Sequence, residues 1–200
     1  MEESAPPLTN FIQQTEQSTC DSKRNDKQCL ANAEVTHLKD IRQHLHQHPE
    51  LSSAEWNTAQ YVVDYVRAHS EPTEVYTNVG ETGVVAVYDS KVDGAAILFR
   101  AELDALPIAE TNSFSYKSVV DGVSHKCGHD GHCTTLLGLS RLLNRRAVKK
   151  GKVYLLFQPA EETGTGAESI LRDEVYVRNV KPDYVFAFHN IPGSYFCSLS

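Results

Sequence analysis

A thiol, several imidazoles and several carboxylates of this chain fall at spacings that suit metal-assisted chemistry. Cys127 and His129 lie one residue apart in CGHDGH at 127–132, and in an extended loop that spacing turns both side chains to one side. Glu161 and Glu162 are adjacent after KVYLLFQPA. Neighbours in extended chain point apart, so one carboxylate can hold a cation while the other faces substrate. Glu102 and Asp104 follow AAILFRA, and His189 ends YVFAFH. Imidazole, carboxylate and thiolate together are a borderline-soft donor set, suited to Zn²⁺, Mn²⁺, Co²⁺ or Ni²⁺ rather than Mg²⁺ or Ca²⁺. A structural zinc knuckle would need a second tight pair of Cys or His, and the sequence has none. The donors therefore point to a catalytic site with open positions. Such a cation lowers the pKa of water towards about 7, and a nearby carboxylate can pass the proton to a departing amine.

The elements that must position these groups are legible in the periodicity. Val35, Leu38, Ile41 and Leu45 recur at helical steps, and Pro49 closes that helix. Ser52 and Glu55 have capping-box spacing, so a second helix is expected from Ser52, with Trp56, Ala59, Val62, Val63 and Val66 on its apolar face, fading near His69. VVAVY at 84–88 and AAILF at 95–99 read as neighbouring strands joined by a turn at SKVDG. A Leu-rich helix is expected from Gly131 through Ala147. Strands buried on both faces are expected at 152–157 and 184–189, with a short helix at Ala167 to Arg172 between them. Strands alternating with helices predict an α/β fold, a layered open sheet with helices on both faces. In such sheets ligands bind beyond the carboxyl ends of the strands, where the chemistry-bearing residues cluster.

Two hundred residues fit one domain with a tail. Residues 1–33 are rich in Gln, Ser, Thr, Asn and charge, and read as a disordered or loosely docked tail. A net charge of −7 and a pI near 5.7 leave no basic field for nucleic acid or anionic lipid. No run approaches the roughly 18 apolar residues of a membrane helix, and the first thirty residues lack the apolar stretch of a secretory signal. The expected compartment is cytoplasmic, with no membrane partner. Five scattered cysteines do not form a disulfide pattern.

HLHQHPELS at 44–52, RAELDALPIAE at 100–110, CGHDGH at 127–132, FQPAEETGTGA at 157–167 and FHNIP at 188–192 resemble the ordered motifs of the metal-dependent N-acyl-amino-acid amidohydrolases. That group includes hippurate hydrolase, aminoacylase-like and carboxypeptidase-like enzymes and the plant auxin-conjugate hydrolases. The resemblance implies that residues 34–200 are the N-terminal part of a catalytic domain. It implies that Cys127, His129, Glu162 and His189 are ligands of a two-metal centre, with no assignment of ligand to metal. It makes Glu161 the general base and acid, and Asp104 a catalytic-site residue that supports a metal ligand. The implied substrate is a small-molecule N-acyl amino acid or short peptide. Family members carry a lid and dimerisation domain after this region and then one more histidine ligand, so the match is expected to stop short of both and to lack the homodimer interface. A rival expectation is a truncated, inactive family member acting as a binding protein; metal analysis with a hydrolysis assay separates the two.

Other polar residues read more plainly. Asp130 and His132 are expected to support the site rather than bind metal, and Cys133 to pack. His44, His46 and His48 are expected in surface or packing roles, and Arg145, Arg146, Lys149 and Lys150 at a solvated helix end.

Overall fold

The computed structural model describes residue 30 and residues 32–190. The expected tail lies outside these residues except at Leu30, Asn32 and Ala33, of which the last two already belong to the first helix. In chain order the elements are α1 (Asn32–Gln47), α2 (Trp56–His69), β1 (Glu74–Val79), β2 (Gly83–Asp89), β3 (Ala96–Glu102) and α3 (His129–Arg145). They are followed by β4 (Lys152–Gln158), α4 (Gly166–Arg172), α5 (Glu174–Asn179) and β5 (Tyr184–Ala187).

The sheet has the order β1-β2-β4-β3-β5. Strands β3, β4 and β5 are parallel, whereas β2 pairs antiparallel with both β1 and β4. This corrects the expectation that 84–88 and 95–99 are neighbours: β4 lies between them, with Val84 opposite Phe157 on one side and Phe99 opposite Leu155 on the other. Local turn chemistry at SKVDG did not determine the pairing: β4, buried from Tyr154 to Gln158, takes the centre of the sheet, where both faces are covered.

Alternation along the strands divides the core into two layers. Val84, Ala86, Tyr88, Leu155 and Phe157 pack with Ile41 and Leu45 of α1, Val62 and Val66 of α2, and Leu136 and Leu137 of α3. On the other face Val85, Val87, Leu98, Tyr154 and Leu156 pack with Ile170 and Val180, and against Tyr176 of α5. Helices therefore cover both faces of an α/β sheet, as the sequence predicts. Among the described residues no helix is long and apolar enough to cross a membrane.

Three local expectations are corrected. Helix α2 begins at Trp56 with Glu55 as its N-cap, not at Ser52, and Trp56 is exposed. The Ser52 hydroxyl is drawn away by a tertiary partner, donating to Asp104 Oδ2 at 2.7 Å, while the Glu50 carboxylate accepts from the Thr58 amide at 2.8 Å. Strand β5 is an exposed edge, not a strand buried on both faces; of its side chains Phe186 stacks on Phe99 at 5.6 Å. Strand β1 and helix α5 carry too few apolar residues to show a clear period and were not foreseen.

Candidate metal centre

Three parallel strand ends and one helix start build the site. Strand β3 delivers Glu102 and then Asp104, β4 delivers Glu161 and Glu162, β5 delivers His189, and His129 opens α3. Gly128, the N-cap of α3, has φ +94°, and a Cβ there would stand 2.5 Å from the Asn190 side-chain oxygen. Only glycine lets the chain turn from Cys127 into the helix so close to the end of β5.

His129 is fully buried. Its Nδ1 donates to the Asp104 backbone carbonyl at 2.9 Å and faces Asp104 Oδ1 at 3.2 Å, which leaves the Nε2 lone pair free. Nε2 looks at Glu161 Oε2, 3.6 Å away, and Glu162 Oε1, 3.8 Å away. Cys127 Sγ lies 3.3 Å from His189 Nε2, and His189 Nδ1 donates to the Asn190 carbonyl at 2.7 Å. Asp104 ties the parts together: its Oδ2 accepts from the Ser52 hydroxyl and from the Glu162 amide, the latter at 2.9 Å.

The side chains fit a cation. His129 Nε2 and Glu162 Oε1 are both buried and neither has a hydrogen-bond partner, a costly arrangement in a folded interior. Bonds of about 2.0–2.3 Å to a tetrahedral ion set its donor atoms roughly 3.3–3.8 Å apart, the range of the Cys127–His189, His129–Glu161 and His129–Glu162 separations. The donor atoms of Cys127, His129 and His189 fall within 4.8 Å of one another, as do those of His129, Glu161 and Glu162. Burial and the facing Glu162 and Glu161 carboxylates push the Cys127 thiol up to about 12. A cation beside it reverses that preference by favouring the thiolate. Burial disfavours charge on Asp104, but the His129 hydrogen bond, the Glu162 amide and the Ser52 hydroxyl hold its carboxyl below the usual range.

The six residues to which the resemblance gives site roles, Asp104, Cys127, His129, Glu161, Glu162 and His189, meet here. Asp130 and His132 lie behind them. His132 Nδ1 meets Glu102 Oε2 at 2.9 Å, and its Nε2 lies 2.7 Å from Asn190 Oδ1. Glu102 also pairs with Arg100 at 2.6 Å. His129 forms a further close group with Glu102 and His132, but these two are already engaged with each other. His44 rests on Tyr61 and His48, a packing role. His46 was not separated from them by sequence, although it is buried and bridges two carboxylates: its Nδ1 meets Asp130 Oδ2 at 2.8 Å and its Nε2 meets Glu110 at 3.2 Å. Helical spacing carries no such signal, since at about 100° per residue His46 falls roughly 140° round α1 from Ile41.

That cluster predicts a pH response. The Asp130 hydrogen bond outweighs burial and raises the His46 pKa, so its contribution to stability is complete below about pH 6.5 and is lost as pH rises through the higher folded value. Burial works against charge on Glu110, yet Lys126, the Ser118 amide, Asn112 and His46 hold it far below the usual carboxylate range. Asp130 is lowered against burial by His46, His125 and Arg42. Stability from both acids is present above about pH 4.5 and is lost as pH falls through their depressed folded values. His125, held neutral by burial with its pKa lowered to about 4, acts in the opposite sense to His46. The difference between wild type and His46→Gln therefore isolates the effect: thermal unfolding should show the variant losing about 2–4 °C per kcal/mol at pH 5.5. The gap should narrow by pH 8.5, and a constant gap would count against the assigned ion pair.

An α/β sheet thus gathers thiol, imidazole and carboxylate donors beyond its parallel strand ends, an arrangement that suits a divalent cation. The chain matches the model of Peptidase family M20/M25/M40 over residues 98–196, the stretch that carries the gathered donors. It is 40% identical over 159 residues to N-acetylcysteine deacetylase of Bacillus subtilis, covering 78% of this chain and 40% of that protein. It is 40% identical over 155 residues to hippurate hydrolase of Campylobacter jejuni, covering 78% of this chain and 39% of the relative. The crystal structure of the Bacillus subtilis YXEP protein, a dinuclear metal binding peptidase from the M20 family, superposes with a TM-score of 0.74 at 36% identity. That match covers 82% of this chain and 45% of the other. The chain thus spans about two fifths of the length of the curated relatives it matches.

Proposed function

We propose that this chain carries the metal-binding half-site of an amidohydrolase that cleaves the amide bond of an N-acyl amino acid or short peptide. Cys127, His129, Glu162 and His189 would hold two divalent ions of the Mn²⁺, Zn²⁺, Co²⁺ or Ni²⁺ type. When bound, such ions supply Lewis acidity towards a carbonyl oxygen and acidify water. Asp104 fixes the His129 ring so that Nε2 presents its lone pair. Glu161, whose side chain is about twice as exposed as that of Glu162 (34% against 17%), faces the open side. From there it takes the proton of the attacking water and delivers it to the departing amine. The names of the relatives, which act on acetylated cysteine and hippurate, support a small acylated amino acid as substrate.

The observation that carries this reading is the pair of buried, unpartnered atoms, His129 Nε2 and Glu162 Oε1, facing each other at 3.8 Å. The test is calorimetric titration of the metal-free chain with Zn²⁺ and Mn²⁺, followed by a hydrolysis panel of hippurate, N-acetylcysteine and other N-acetyl amino acids. Tight stoichiometric binding with amide cleavage is the expected result. Absence of binding at micromolar metal would overturn the assignment.

A further inference from the structure

Glu55 lies outside the centre, yet it is completely buried. Its two carboxyl oxygens each take one donor: Oε2 accepts from the Thr82 hydroxyl at 2.7 Å, and Oε1 accepts from the Ala160 backbone amide at 2.7 Å. A fully buried carboxyl with two neutral partners is expensive to maintain, since burial is costly unless hydrogen bonds offset it. As the N-cap of α2, its side chain makes no capping hydrogen bond, so capping does not explain it.

What it holds does explain it. Ala160 has φ +46°, in the left-handed region that an alanine rarely enters. That turn redirects the chain as it leaves β4 and sends the next two residues, Glu161 and Glu162, towards His129 Nε2. The other side of the turn is pinned when the Glu162 amide donates to Asp104 Oδ2. At its base Gly166 packs so closely on Pro159 that an added Cβ would meet the Pro159 carbonyl oxygen. The loop bearing both glutamates is therefore clamped at Ala160 by Glu55 and at Glu162 by Asp104.

We infer that Glu55 is a positioning residue for the metal centre, holding Ala160 in its left-handed turn so that Glu161 and Glu162 reach the cation site. This rests on the proposed metal centre and adds to it a residue 105 positions away in sequence from the amide it holds. Glu55 touches neither substrate nor cation and acts only through the 160–162 turn.

Two variants separate reach from capping and packing. Glu55→Gln keeps an acceptor for the Ala160 amide, and the Thr82 hydroxyl can rotate to accept from the new amide group. Glu55→Asp keeps a carboxyl and a good N-cap residue, but is shorter by one methylene, about 1.5 Å, and cannot reach Ala160. Co²⁺ titration followed by visible absorption reads the ligand field. Glu55→Asp should lose at least about tenfold in Co²⁺ affinity, with an altered spectrum, while Glu55→Gln stays within about threefold of wild type. Amide hydrogen exchange in the metal-free chain gives a second readout: Ala160 should remain protected in Glu55→Gln and exchange faster in Glu55→Asp. Wild-type affinity and spectrum in Glu55→Asp, or an equal loss in both folded variants, would overturn the inference. Should Glu55→Asp fail to fold, Glu55→Gln decides: an unprotected Ala160 amide with unchanged Co²⁺ affinity would sink it, and a protected amide with unchanged affinity would sustain it. A wild-type chain that binds no Co²⁺ overturns the proposed centre instead, and the exchange measurement still reports on the clamp.

Discussion

Glu161→Gln is expected to lower kcat for amide hydrolysis by about 10²–10⁴-fold, the range typical of a lost general acid–base group, while leaving metal content unchanged. The side chain is isosteric and keeps its place, but an amide cannot accept a proton. Two features separate Glu161 from its neighbour. Glu162 has a buried oxygen without a partner among the described residues and its backbone is pinned to Asp104, whereas Glu161 is the more exposed of the two and its backbone carbonyl accepts the Gly164 amide of its own turn. Glu162→Gln should therefore fail in the opposite way, losing bound metal first and activity as a consequence. Elemental analysis of both purified variants beside an N-acyl amino acid assay distinguishes them. Loss of metal from Glu161→Gln would move that residue into the ligand set and leave the proton-transfer role unfilled.

The contrast between these two adjacent residues shows what a sequence exposes and what it hides. The donors themselves are legible because Cys127 and His129 share a tight spacing and Glu161, Glu162 and His189 follow apolar runs, which is enough to mark them in the sequence. The layers are legible for a similar reason: the continuous apolar runs at 84–88 and 152–157 and the helical period in 35–45 and 131–147 report local burial directly. Strand order is not, since the apolar runs of β2 and β3 say that both strands are buried and nothing about β4 entering between them. The framework behind the site was hidden as well. Ser52 has the spacing of a helix cap, but its hydroxyl serves Asp104. Glu55 has the look of a capping-box acid, but its carboxyl reaches across to Ala160. His46 sits among three look-alike histidines, and only the fold brings Asp130 and Glu110 to it. In each case a local motif competes with a long-range partner that no window of sequence contains, and the buried partner prevails because an unsatisfied polar group inside costs more than a surface cap contributes.

Asp104 concentrates that long-range framework, and replacing it should separate folding from metal binding. The side chain is wholly buried. Asp104→Ala would strip acceptors from the Ser52 hydroxyl and the Glu162 amide together and remove the carboxylate facing His129 Nδ1. Orphaning buried polar partners in this way costs on the order of 3–5 kcal/mol, or roughly 6–20 °C in Tm at this chain length. Asp104→Asn should behave differently. Its one carbonyl oxygen can occupy the Oδ2 position and keep both donors, so most of the stability survives. Its amide nitrogen then stands where Oδ1 stood and presents a hydrogen to His129 Nδ1. That opposes the tautomer with the proton on Nδ1 and favours a proton on Nε2, the atom that must offer a lone pair to the cation. The expected result is a near-native melting curve in Asp104→Asn with metal affinity reduced about 10–100-fold, the usual effect of disturbing a group that orients a ligating histidine. Calorimetric metal titration beside thermal unfolding reads both quantities. Full affinity in Asp104→Asn would mean that the Asp104 backbone carbonyl, at 2.9 Å, alone holds the ring in its binding tautomer.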